Sequence, residues 1–202
     1  MGRKSHVKPR KPITKKVNLW LEELLIQLQY KDLEKLTIDD LAELAEKSKS
    51  TIYQYFKSKE DVLLAVCQTR VDSLTEVILE TLQQKPTTIQ LYKRLLEILA
   101  NGTAGISISF LQTIKKNYPK VWLVIEKFTD NFIEILKEQY KIGITEGVFN
   151  AISIDLMTHL DRIFIMEVVT NPKLFNDKEF TITNLISDYL NLRLVGLLKK
   201  AF

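Results

Sequence analysis

The chain is poor in the residues that loop-rich or cross-linked folds depend on. One cysteine, Cys67, stands among 202 residues. That excludes an internal disulfide framework and a cysteine-based zinc site, and it fits a reducing, cytoplasmic setting. Six glycines and five prolines leave few loop breakers. An α/β enzyme of this size normally uses more glycine in its turns, so the scarcity points to an all-α fold. No apolar run approaches the roughly 20 residues of a membrane span, and no membrane partner is expected. The first residues are basic but no apolar segment follows them, which argues against a secretory signal. There are two histidines, His6 and His159. A Gly-rich phosphate loop, a Gly-x-Ser-x-Gly elbow and a His-Glu-x-x-His pair are all missing. The expectation is a protein that is not an enzyme and holds neither cofactor nor metal.

What is present is apolar substance and an uneven charge. Hydrophobic residues make up 46% of the chain, enough for a sizeable core. Residues 1–60 carry 13 basic and nine acidic side chains, whereas the remaining 142 residues carry 16 of each. All of the net charge of +4 therefore sits at one end, where it steers an anionic partner such as DNA. A solvated basic tail has the same composition.

Residues 1–16 contain no acid and two X-Pro steps, Lys8-Pro9 and Lys11-Pro12, so they form an extended basic arm. Leu21, Leu24, Leu25 and Leu28 then recur at helical spacing from Val17 to about Tyr30. Thr37 opens a second helix, with Asp39 and Asp40 in its first turn. Ser48 caps a short helix through about Phe56, and Ser58-Lys59-Glu60-Asp61 resembles a capping box in which aspartate replaces glutamate. Two short helices joined by a tight turn can place the second in the major groove of double-stranded DNA. On that second helix Ile52 and Phe56 face inward. Lys49 with Tyr53, and Ser50 with Gln54, form the outward face. These are groups suited to phosphates and base edges.

At this point the sequence resembles the TetR family of one-component bacterial regulators. The match covers Thr37, Ile38, Leu41, Ala42, Ala45, Ser48, Thr51, Ile52, Tyr53, Tyr55, Phe56, Lys59 and Val62, and the run Tyr53 to Lys59 is its most specific part. The resemblance implies an N-terminal three-helix helix-turn-helix DNA-binding domain over residues 17–62. A larger C-terminal helical domain for ligand binding and dimerisation would follow over 63–202. Carried over position by position, Lys49, Ser50, Thr51 and Gln54 would contact or approach bases, and Gln54 can bond an adenine edge bidentately. Tyr53, Tyr55 and Lys59 would hold phosphates, assisted by Thr37. Arg3, Arg10 or Lys11 of the arm could reach an adjacent minor groove. The chain departs from the family pattern at the turn: Glu46 and Ser50 stand where glycine is common, and Lys47 where valine is. A left-handed Glu46 would cost about 1–2 kcal/mol.

Beyond residue 62 the chain reads as long helices broken at Pro86, Asn101-Gly102, Gly105, Pro119 and Pro172, with Gly143 and Gly147 loosening one helix end. The resemblance implies that the last two helices, about 153–171 and 179–200, build a homodimer. It also implies a small-molecule pocket, for which Cys67, Tyr92, Phe110, Tyr118, Trp122 and Phe128 are candidates. No acidic pair or basic cluster marks the region, so a largely apolar effector is favoured. Repression relieved by the effector is the family's usual mode. Activation, or a helical interaction module without sequence-specific DNA binding, stays open.

Overall fold

The computed structural model describes residues 10–171 and 181–199. Arg3, His6 and Pro172 lie outside these residues. Among the described residues the fold is all-α. It contains α1 (Lys15–Leu28), α2 (Ile38–Leu44), α3 (Lys49–Tyr55), α4 (Lys59–Gln83), α5 (Thr88–Gly102), α6 (Ile108–Asn117), α7 (Pro119–Thr145), α8 (Ile154–Thr170) and α9 (Ile182–Leu197). One isolated antiparallel bridge, Phe149 with Leu198, joins the end of α7 to the end of α9.

The three N-terminal helices close over one leucine-rich seam. Leu21, Leu24 and Leu28 of α1, Leu41 of α2 and Ile52 of α3 are all fully buried. Burial of each such side chain contributes about 1.5–3 kcal/mol. Trp20 meets the Phe56 ring edge-on, with centroids 6.1 Å apart. Caps fix where these helices begin. The Thr37 hydroxyl accepts the Asp40 N–H, while the Asp40 carboxylate accepts the Thr37 N–H at 2.7 Å, a closed capping box. Ser48 accepts the Thr51 N–H at 3.0 Å and Ser58 accepts the Asp61 N–H at 3.2 Å. Asp61 reaches back one residue further than a capping box requires, to the Lys57 N–H.

Between α2 and α3 the backbone turns through Glu46 at φ 52°. The Lys47 N–H bonds the Ala42 carbonyl and the Glu46 N–H bonds the Glu43 carbonyl, each at 2.9 Å. This is a Schellman closure, which favours glycine at the left-handed position. The expected strain at Glu46 is therefore present.

α4 runs unbroken through the expected domain boundary at 62/63. Its first turns, with Val62, Leu63 and Val66, complete the helix-turn-helix core, and its later turns pack on α5 and α7. Pro86 follows the end of α4 and Pro119 is the first residue of α7. One glycine behaves otherwise than expected. Gly143 does not loosen α7; a Cβ there would lie 2.1 Å from the Phe149 ring, so the missing side chain is the seat for that buried aromatic. The α7 end is instead turned by Gly147 at φ 71°.

Candidate DNA interface and effector cavity

The outward face of α3 carries Lys49, Ser50, Tyr53 and Gln54, all exposed. The Lys49 ammonium lies 2.8 Å from the Asp39 carboxylate of α2, an exposed pair that a phosphate can replace at little cost. Thr51 is half-buried and its hydroxyl is 2.8 Å from that of Ser48. Tyr55 is half-buried, packed on the core beside Phe56. Thr37 donates its hydroxyl proton to Asp40. The base-facing candidates thus share one open surface, whereas Thr37, Thr51 and Tyr55 also serve the domain's own structure.

Lys59 departs furthest from its expected role. Its ammonium donates to the carbonyls of Leu33 and Leu36 at 2.8 Å and of Glu34 at 3.2 Å. All three protons are matched, so in this conformation Lys59 ties the turn between α1 and α2 to the start of α4. Here it acts as a structural clamp. The arm also differs from a loose tail where it is described: the Lys11 N–H donates to the Gln54 carbonyl at 2.8 Å, and Arg10 donates to the Tyr53 carbonyl. These contacts satisfy the last carbonyls of α3 and root the arm beside the recognition helix.

The second site is an apolar cavity of about 100 Å³, walled by α1 and by α4 through α9. Three expected residues line it: Cys67, Phe110 and Phe128. Burial pushes the Cys67 thiol up to about 12, so it serves as wall and not as nucleophile. Three expected residues do not line it. Tyr92 is fully buried between Tyr140 and Phe149, each ring centroid 6.0 Å away. Tyr118 lies at the α6–α7 corner with the Lys59 ammonium 5.8 Å above its ring. Trp122 donates its indole N–H to Glu126. Helical spacing alone does not say which way an aromatic points, and these three fill other gaps.

Two charged residues that sequence reasoning missed are prominent in the body. Asp161 of α8 is fully buried and accepts the Tyr140 hydroxyl at 2.5 Å, the Tyr189 hydroxyl at 3.0 Å and the Arg193 guanidinium at 3.1 Å. Burial drives the Tyr140 and Tyr189 phenols well above the ordinary range, so both stay protonated as donors. The signal available was positional: Asp161 lies four residues after Met157 and four before Ile165, on the buried row of α8. The other is Arg70 of α4, among the described residues the one charged side chain in the cavity wall.

α6 connects the two sites. Phe110 and Leu111 line the cavity. At its start the Ser107 N–H and hydroxyl bond the Gln29 side chain and carbonyl, at 2.8 and 3.1 Å. At its end Asn117 donates to Glu34 at 2.6 Å.

Residues 23–66 match the pattern of bacterial regulatory proteins of the tetR family. The matched stretch runs from α1 into α4 and so covers the helix-turn-helix. Over 107 residues it is 24% identical to the uncharacterized HTH-type transcriptional regulator YvaF of Bacillus subtilis, a stretch covering 52% of this chain and 53% of YvaF. The match thus spans about half the length of that curated relative. Among solved structures, the transcriptional regulator FadR from Bacillus subtilis, in complex with stearoyl-CoA, is 19% identical. It superposes with a TM-score of 0.65 over 88% of this chain and 98% of its own. A structure from Saccharomonospora viridis in complex with choline is 17% identical, with a TM-score of 0.72 over 93% and 100%. At such identities the likeness is one of fold. It covers both the helix-turn-helix and the C-terminal helices.

Proposed function

We propose that this chain is a homodimeric transcription regulator of the TetR family, working in the bacterial cytoplasm. In this reading α3 docks in the major groove of operator DNA, and a small, largely apolar effector releases it. The observation that carries the reading is the double attachment of α6, which lines the cavity in its middle and is hydrogen-bonded at both ends to the helix-turn-helix. The cavity is smaller than the roughly 150 Å³ apolar void that admits benzene. A larger effector must therefore displace wall residues such as Phe110 and Leu111, and the displacement is passed to Gln29 and Glu34. Release follows if the effector binds better to a dimer whose recognition helices no longer match grooves about 34–36 Å apart. Repression is the mode this mechanism describes.

DNA contact is assigned to Lys49, Ser50, Tyr53 and Gln54, with Thr51, Tyr55 and Thr37 at the margins. The dimer is assigned to α8 and α9. Leu156, Leu160 and Ile163 form an exposed stripe on α8, and Leu192 and Val195 are more than 70% exposed on α9. So many large apolar side chains on adjacent helices are expected to be covered by a second copy. The test is retention of DNA from the chain's own upstream intergenic region against unrelated DNA at moderate salt, with sedimentation in parallel. Selective retention by a dimer, weakened about tenfold by Gln54→Ala, is expected. Equal retention of both DNAs, or a stable monomer, overturns the reading.

A further inference from the structure

The cavity does not end at its apolar wall. Between α4 and α5 an outer cleft of about 240 Å³ holds Arg94 and Asn101 together with Arg70, Leu74 and Gly102. The last three also line the inner cavity. Leu74 is the partition. A Cβ on Gly102 would lie 2.7 Å from its side chain, so the glycine is what lets Leu74 sit flat between the two spaces. Leu74 thus stands where the two spaces meet.

Arg70 reaches both spaces, and it is loosely held. Its Nε donates to the Gly102 carbonyl at 3.2 Å, and its Nη1 lies 3.4 Å from Glu22 Oε2 on α1. A well-formed guanidinium–carboxylate pair is bidentate, at about 2.7–2.9 Å. Here the second oxygen, Glu22 Oε1, is buried without a hydrogen-bond partner. The carboxylate thus has half of its acceptor capacity unmet while its arginine faces a cavity mouth.

We infer that the cavity takes a single-chain amphiphile with an anionic head, whose chain fills the inner space past Leu74 and whose head is received by Arg70 in place of Glu22. This rests on the effector reading above and names the class of effector. Arg94 stands on the rim, paired with Glu97 at 2.8 Å, and both line the outer cleft. Because Glu22 belongs to α1 of the helix-turn-helix, the exchange also loosens one tie between that domain and α4.

The probes are octanoate, octan-1-ol and octylammonium, which share a chain and differ only in head charge. Each is titrated calorimetrically into the full-length protein. Octanoate is expected to bind about tenfold more tightly than the alcohol, and the ammonium most weakly. Arg70→Gln should abolish the octanoate preference while leaving the alcohol unchanged, and Arg70→Lys, which keeps the charge, should restore part of it. Glu22→Gln should tighten octanoate about threefold by freeing Arg70, a gain that a merely structural role for Arg70 would not produce. Equal affinities for octanoate and octan-1-ol overturn the anionic head and leave the effector cavity standing. A separate groove between α4 and α7 is lined by Lys120 and Lys127. Loss of the preference in a Lys120→Gln/Lys127→Gln variant, with Arg70→Gln unaffected, moves the head to that groove and overturns the assignment to Arg70. Binding of none of the three overturns the inference together with the cavity reading.

Discussion

The helix-turn-helix and the C-terminal body are held together by different kinds of polar contact. In the first, the anchors at helix starts are local: Thr37 with Asp40, Ser48 with Thr51, Ser58 with Asp61, each three residues apart. In the second, the strongest anchor gathers three helices. Asp161 on α8 receives Tyr140 from α7 and both Tyr189 and Arg193 from α9. A local cap costs little chain entropy and survives rearrangement of its surroundings. A buried carboxylate with partners on other helices exists only when the whole body is assembled. In the proposed function, small, independently specified helices suit the end assigned to DNA, and collective packing suits the end assigned to the effector.

Three substitutions sharpen this contrast. The largest effect is expected at Asp161. Asp161→Ala leaves Arg193 and two phenols without their shared acceptor and should lower stability by about 3–5 kcal/mol, read from the midpoint of urea unfolding. A loss below 1 kcal/mol would mean that the body does not depend on the cluster. Next comes Lys59, a long-range anchor of the N-terminal end. Lys59→Met keeps the aliphatic stem but removes three donors, and should cost about 2 kcal/mol in DNA-free protein. If thermal unfolding is unmoved and only DNA affinity falls, Lys59 is a phosphate ligand after all. The smallest effect is a gain. Glu46→Gly should raise stability by about 1 kcal/mol by relieving the left-handed backbone. An unchanged or lower melting temperature would show that the turn carries no strain.

The same contrast explains how much of the molecule was legible from its residues alone. Caps and periodicity are written within a few positions, so the starts of α2, α3 and α4 and the inward pair Ile52 and Phe56 could be read directly. The left-handed turn at Glu46 was legible as well, because a resemblance marked the position and the chain departed from it. Side-chain direction across helices is not written locally. Phe110 and Phe128 reach the cavity, whereas Tyr92, Tyr118 and Trp122 pack elsewhere, though all five are aromatic residues on amphipathic helices. The partners of Lys59 could not be read for a related reason: they are backbone carbonyls 23 to 26 residues away, and carbonyls leave no trace in residue identity. Arg70 and Asp161 were overlooked because a charged residue in an apolar row becomes conspicuous only when its burial is known.

The continuity of α4 has a mechanical consequence. Its 25 residues make a rod about 37 Å long at about 1.5 Å per residue. One end is built into the helix-turn-helix, and its middle forms a wall of the cavity. A tilt of about 4° along such a rod moves its far end by about 2.6 Å, comparable to the length of a hydrogen bond. A displacement too small to rupture the body's packing is therefore large enough, when geared through this lever, to misalign a side chain reading a base edge.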